Sequence, residues 1–335
     1  MVEKNEKGTE TERSVGLKAL FLRYPRVSRY LPVAALFLVI LIMGLTVPYF
    51  LTGRNIISVL RQASALGLMA IGMTIVLIAG GIDISIPAVM ALSGILGSMY
   101  MLTGVSPVFA VLLMIVIGTA LGMINGFAVA YLRMVPFVVT LSMMAIATGA
   151  SVWVTKNISV AGFPLEYIDT IMGRVGFLPV PVIIVFLIAL VFWVLMKRSF
   201  LGRWLYAVGI NPKTAEVCGI PRRKVIFGTY ALSGFFAGLA AVIVTARLES
   251  ASPTMGDEGV VLNVIGSAVV GGASIYGGVG NSIGAAVGAI FIVLISNSMT
   301  MMHIPYHTTL IVKGLVIVAF VAFDSYNRRV LGSLS

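Results

Sequence analysis

The chain has 335 residues, of which 59% are hydrophobic and 10% charged, and carries a formal net charge of +11. Ordinary soluble domains are about 45–50% apolar and about 25% charged. A chain this apolar cannot hide its surface in water, which excludes a soluble globular enzyme. A bilayer core about 30 Å thick takes roughly 20 helical residues to cross, and about 200 apolar residues therefore supply about ten spans of a polytopic membrane protein.

Residues 1–30 form a hydrophilic segment with seven basic residues, Lys4, Lys7, Arg13, Lys18, Arg23, Arg26 and Arg29. No small-residue cleavage site follows the first apolar run, so that run is expected to stay as a span rather than leave as a signal peptide. Apolar runs bounded by charges or turn residues predict spans at 31–51, 63–80, 84–102, 107–132, 137–154, 178–196, 225–245, 260–270, 283–299 and 306–323. Only helices satisfy their own backbone over so many consecutive runs, and a β-barrel would show short alternating segments. The expected class is all-α. With the N-terminus in the cytoplasm, seventeen basic residues fall inside and five outside, the five being Arg54, Arg61, Lys156, Arg174 and Arg247. This satisfies the positive-inside rule with both ends cytoplasmic, and it explains the net charge without nucleic acid.

Two places interrupt the helical pattern. Gly80-Gly81-Ile82-Asp83 separates the second and third spans, and Asp83 is the sole acidic or basic residue between Arg61 and Arg133. The eighth span has about eleven apolar residues before the glycine-rich run 271–280. Broken helices at membrane depth occur where they are buried in protein or line a wet cavity, and in transporters they mark the substrate route. Two readings fit Asp83, as a cap for the third span together with Ser85, or as a group touching substrate. Gly118, Gly122 and Gly126, and again Gly280, Gly284 and Gly288, recur every four residues, a spacing that strips side chains from one helix face so that a neighbour approaches closely. Asn125, Thr140, Ser142, Asn263, Ser267, Ser296 and Asn297 are polar residues within apolar spans. They suit either interhelical hydrogen bonds or the hydroxyls of a passing sugar.

The loop 197–224 is the most informative polar segment. Asn211 and Pro212 supply an N-cap and first helical position, residues 213–218 a short helix, and Gly219 its stop before Pro221. A capped helix held out by two spans suits docking into a partner's groove, or rests as a basic helix on anionic lipid. Cys218 is the one cysteine, which excludes an intramolecular disulfide and a thiolate cluster. His303 and His307 are four apart with Pro305 between them and no accompanying carboxylate, which argues against a metal site. There is no phosphate-binding Gly-x-x-x-x-Gly-Lys-Ser/Thr loop and no catalytic triad within the spans, so an enzyme is not expected.

Four motifs in order resemble the membrane permease subunit of ATP-binding-cassette importers for ribose and related monosaccharides, within the branched-chain amino acid/sugar permease superfamily. They are Gly80-Gly81-Ile82-Asp83-Ile84-Ser85, then Val135-Pro136-Phe137-Val138-Val139-Thr140-Leu141, then Gly209-Ile210-Asn211-Pro212 through Cys218-Gly219-Ile220, and finally Asn263-Val264-Ile265-Gly266 leading to Gly271-Gly272-Ala273-Ser274-Ile275-Tyr276-Gly277-Gly278. The chain departs from the family pattern at Ile86-Pro87, Thr214 and Cys218.

The resemblance implies a transmembrane permease domain at 31–323 and a cytoplasmic tail at 324–335, in a bacterial inner membrane. It implies a second permease chain, identical or related, a periplasmic sugar-binding protein, and ATPase subunits docking on the loop. The docking residues it implies are Gly209, Asn211, Pro212, Lys213, Ala215, Glu216, Cys218, Gly219 and Ile220. ATP and Mg would be used by the partner ATPase, with no cofactor bound by this chain. Candidates for the translocation pathway or gate are Asp83, Ser85, Asn125, Thr140, Asn263, Ser267, Ser274 and Asn297. ATP binding would draw the docked loops together and open the pore outward, and hydrolysis would reset it. The rival expectation is an ion-coupled secondary transporter, since coupling ions also favour broken helices, with Asp83 and Lys313 as a conceivable pair.

Overall fold

The computed structural model describes residues 37–38 and 40–332, with side chains to 325. The basic segment 1–30 lies outside the described residues, as do 31–36 of the first expected span and 333–335 of the tail. Helical turns cover 40–46. The long helices that follow are α1 (Gly53–Ile78), α2 (Ile86–Met101), α3 (Pro107–Ala130) and α4 (Pro136–Thr155). After a two-residue strand β1 (Val160–Ala161) come α5 (Leu165–Met172), the hairpin β2 (Arg174–Val175) and β3 (Leu178–Pro179), and α6 (Val180–Arg198). Then follow α7 (Phe200–Ile210), α8 (Pro212–Val217), α9 (Arg222–Leu248), β4 (Ser250–Ala251), a 3-10 turn (Pro253–Gly256), α10 (Glu258–Val270), α11 (Ser282–Met301) and α12 (Tyr306–Gly332).

Each expected span from the second onward contains a helix, and the chain is an all-α polytopic membrane protein. Among the described residues, seven helices are long and apolar enough to cross a membrane: α1, α3, α4, α6, α9, α11 and α12. The helices at the third and eighth expected spans are shorter. α2 has 16 residues and α10 has 13, so they rise about 24 and 20 Å. Other boundaries also differ. α1 begins ten residues before the expected start at 63, because Thr52 caps it by accepting the Asn55 N–H and so lets the segment 53–62, with its polar Arg54, Asn55, Ser58, Arg61 and Gln62, join the helix. The last helix continues through 324–332, where the sequence predicts the tail.

α1 is the axis of the molecule, buried continuously from Ala63 to Ile78. α9, α11, α10 and α6 pack around it, and α9 also lies along α3 and α2. The glycine spacings determine two of these contacts. A Cβ on Gly118 or Gly122 would collide with the backbone at Gly234 and Gly238 or at Tyr230 and Gly234, so α3 and α9 meet backbone to backbone. Gly284 and Gly288 bring α11 against Gly271 and Ser267 of α10 in the same way. Van der Waals contact between bare backbones is a main source of helix association in lipid. By contrast α3, α4, α6 and α12 are largely exposed along their lengths, as helices facing lipid or a neighbouring subunit are.

The strands β1 to β4 and the helices α5 and α7 were not foreseen in the sequence. β1 pairs antiparallel with β4 in the register Val160 with Ala251, and β2 pairs with β3. α5 is anchored by Tyr167, whose hydroxyl donates to the Val242 carbonyl oxygen at 2.8 Å and lies 2.7 Å from the Thr245 hydroxyl. Burial of that phenol raises its pKa to about 12.

Candidate functional site

The two breaks have the same local construction. At the end of α1, Gly80 takes φ 80°, its N–H donates to Leu77 O, and the Gly81 N–H donates to Val76 O. At the end of α10, Gly272 takes φ 89°, its N–H donates to Val269 O, and the Ala273 N–H donates to Ala268 O. Both are Schellman terminations, which need a residue in the left-handed region and so favour glycine. The docking-loop helix α8 ends likewise, at Gly219 with φ 80° and with the Ile220 N–H donating to Ala215 O.

Asp83 follows the first break and is buried. Its Oδ1 accepts the Ser85 hydroxyl at 2.6 Å and the Ser85 N–H at 3.1 Å, and its Oδ2 accepts the Ser233 hydroxyl at 2.8 Å. Asn125 donates from Nδ2 to the Ser85 hydroxyl at 2.9 Å. Its Oδ1 is buried with no partner among the described residues. The N-cap position of α2 is Ser85 itself, so Asp83 holds the turn before the helix and ties it to α9 through Ser233 and to α3 through Ser85 and Asn125. Thr140 on α4 and Tyr230 on α9 both direct hydroxyls at the Ile82 carbonyl oxygen, each at 3.4 Å. Four of the expected pathway residues, Asp83, Ser85, Asn125 and Thr140, therefore gather around this break.

The other four stand elsewhere. Asn263 accepts from Lys313 Nζ at 2.9 Å, so the buried lysine is answered by an amide and not by Asp83. Ser267 returns its hydroxyl to the Asn263 carbonyl oxygen one turn back. Ser274, in the second break, donates to Asp324 of α12 at 2.7 Å. Asn297 exchanges reciprocal amide hydrogen bonds with Asn55, at 2.9 and 3.0 Å. Asn55 is close to the start of α1, and Ile78 beside the Asp83 turn is at its end, about 35 Å away along the helix. Asn297 and Asp83 thus lie at opposite ends of the bundle. Ser233, Tyr230 and Asn55 were not singled out in the sequence. The only signal each gave was a polar group in or beside an apolar run, shared with many residues that bond only to their own helix.

The second break packs onto the first. The Gly278 N–H donates to Ile78 O at 2.9 Å, and Tyr206 of α7 donates its hydroxyl to Gly280 O at 2.6 Å. A Cβ on Gly209 would overlap the same Ile78 oxygen, and one on Gly277 would stand 2.8 Å from Gly209 O. One residue after α7, Asn211 caps α8 by accepting the N–H groups of Lys213 and Thr214 at 3.1 and 3.0 Å. Of the expected docking residues, Gly209 packs inward, Ala215 is buried, and Pro212 and Ile220 are half-buried. Asn211, Lys213, Glu216, Cys218 and Gly219 are exposed, together with Val217 at 88% exposure. A short capped helix thus projects from the end of the bundle where both breaks meet.

Residues 55–321 match the family described as branched-chain amino acid transport system / permease component. The chain belongs to this permease family. This permease is 38% identical over 295 residues to the ribose import permease protein RbsC of Bacillus subtilis (strain 168), covering 88% of this chain and 91% of the relative. It is 36% identical over 289 residues to the D-allose transport system permease protein AlsC of Escherichia coli (strain K12), covering 86% and 88%. It is 33% identical over 301 residues to the galactofuranose transporter permease protein YtfT of the same strain, covering 87% and 88%. No solved structure matches it. Membership of a permease family makes the chain a transport component, not an enzyme.

Proposed function

We propose that this permease carries a monosaccharide, a ribose-like pentose, a hexose or a related sugar, across a bacterial inner membrane as one half of the membrane part of an ATP-binding-cassette importer. Its relatives by printed name serve ribose, D-allose and galactofuranose. We read ten spans with both termini cytoplasmic: the seven long helices, the short α2 and α10 beside the breaks, and the first apolar run at 31–51. A second permease chain, a sugar-binding protein on the outer side and ATPase subunits on the inner side complete the assembly, with ATP and Mg held by the ATPase.

The observation that carries this reading is α8. It is a capped helix with an exposed Val217, and it is joined through α7 to the point where both helix breaks touch. Such a helix suits a groove on a partner and has a short rigid route to the spans. The Asp83 turn then serves as a gate whose polar groups bond to one another in this conformation. Among the described residues no dense set of charged ligands lines the breaks, which fits a weak passage for hydroxyl groups with selectivity delegated to the binding protein. Asp83 and Lys313 are separately answered, which removes the charge pair that an ion-coupled carrier would have used.

The test is purification of the tagged chain from native membranes in mild detergent, with mass spectrometry of co-purifying chains and an ATPase assay. A stoichiometric ATPase and uptake lost on ATP depletion are expected. Recovery of the permease alone, with uptake collapsing on dissipation of the proton gradient and not on ATP depletion, would overturn the proposal.

A further inference from the structure

Four arginines converge at the end of the bundle remote from α8. Arg54 and Arg61 stand two turns apart on α1, Arg247 is in the last turn of α9, and Arg174 lies in β2. With Ser58 and Gln62 they line an open cavity of about 610 Å³. Arg61 donates to the Met172 carbonyl oxygen at 2.7 Å. The Nε atoms of Arg61 and Arg247 are buried and have no hydrogen-bond partner among the described residues. Among the described residues, no carboxylate lies within ion-pair distance of any of the four guanidinium groups.

Like charges crowded without counter-charge repel one another, and half-buried cations such as Arg61 and Arg247 are ordinarily paired. Guanidinium forks answer carboxylates and phosphates bidentately. A single carboxylate brings one negative charge. Inorganic phosphate or a phosphate monoester brings about two, with three acceptor oxygens that guanidinium groups can approach from different sides, and the paired phosphodiesters of a cardiolipin headgroup bring about one each. The position points the same way. α1 has 26 residues and is about 39 Å long, with the arginines in its first third, so the cavity lies near the rim of the span where lipid phosphates and dissolved anions both have access.

We infer that this cavity is a binding site for a phosphate-class oxyanion, supplied by free phosphate or by a lipid headgroup. A neutral sugar has no use for four positive charges, so the site is distinct from the sugar route proposed above. Its occupant offsets about half of the four positive charges and ties α1, α9 and the β2–β3 hairpin together at that end of the bundle.

The experiment takes the full chain, delipidated in non-ionic detergent, and follows thermal unfolding while inorganic phosphate is titrated against chloride at constant ionic strength. A second titration uses cardiolipin. A saturable rise of the unfolding midpoint in at least one titration is expected, since a ligand that binds only the folded state stabilises it. The apparent Kd should weaken about tenfold or more in Arg61→Gln and in Arg54→Gln, the loss of one charge-assisted contact. Arg133→Gln, outside the cavity, should leave it unchanged. Arg54 is exposed, so its variant remains informative if Arg61→Gln fails to fold. A response to phosphate assigns the free anion, and a response to cardiolipin alone assigns the headgroup. No saturable response to either ligand, or an undiminished response in both arginine variants, overturns the site.

Discussion

Gly209 of α7 lies directly against the carbonyl of Ile78 at the end of α1, so closely that no side chain fits between them. The same oxygen accepts the Gly278 N–H from the second break. The segment leading to α8 and both breaks therefore share one backbone atom. A displacement of α8 passes to α1 through rigid backbone, with no flexible side chain to absorb it. Gly209→Ala should force these segments apart, at an overpacking cost of about 1–3 kcal/mol. We expect a lower unfolding midpoint and reduced uptake, measured on purified protein and in cells. Unchanged uptake would show that the contact does not transmit motion.

The Asp83 carboxylate accepts from Ser85 and from Ser233, joining the first break to α9. Asp83→Ala strands two buried hydroxyls and should destabilise by about 1–3 kcal/mol. Asp83→Asn keeps one acceptor and should cost less. A double-substitution cycle with Ser233→Ala should give a coupling of about 0.5–3 kcal/mol, and a coupling near zero would contradict the bond.

Not every helical glycine carries a contact. Gly122 meets the backbone at Tyr230 and Gly234, whereas Gly149 on α4 has nothing within 4 Å of where a Cβ would be. Gly122→Ala should therefore cost about 1–3 kcal/mol. Gly149→Ala should be neutral, or stabilising by up to about 1 kcal/mol through helix propensity. Thermal unfolding of the pair decides it, and equal losses at both positions would refute the packing account.

Tyr167 anchors α5 to α9 as a neutral phenol, with a folded pKa raised by burial to about 12. Its contribution is fully present below the unfolded value of about 10. It is lost as pH rises from there through the folded value, because the unfolded chain releases its proton first. Tyr167→Phe should cost about 0.5–1.5 kcal/mol near neutral pH and flatten the fall in stability between pH 10 and 12, followed by unfolding at stepped pH.

The exposed face of α8 offers a test of docking that leaves the fold alone. Val217 is 88% exposed, so Val217→Asp should change stability by no more than about 0.5 kcal/mol. Recovery of the ATPase with the permease should fall about tenfold or more, the loss expected when a charge replaces an apolar anchor. Undiminished recovery would place the docking surface elsewhere.

Much of this architecture was legible in the sequence because hydrophobicity and local turn chemistry act over short stretches of chain. The apolar runs predicted the helices. Gly80, Gly219 and Gly272 marked helix ends because each takes the left-handed conformation, which is open at low cost only to glycine. The fourfold spacing of Gly118, Gly122 and Gly126 announced a close approach, and Asn211-Pro212 announced a capped start. The polar residues were less legible. Asn263, Asn297 and Asp83 looked alike as polar groups in apolar surroundings, yet they bond to Lys313, Asn55 and Ser233, which lie 50, 242 and 150 residues away in the chain.

By itself the sequence determined that the chain is an all-α membrane protein of the permease class, where its helices break, and which segment projects as a capped helix. The tertiary structure alone decided that the two breaks stack on each other beneath Gly209, that Lys313 and Asp83 stay apart, and that four arginines scattered from 54 to 247 share one cavity. The reason is range: burial, caps and turns are properties of neighbouring residues, whereas partnership between distant polar groups and crowding of like charges depend on which helix faces the packing of bare backbones brings together.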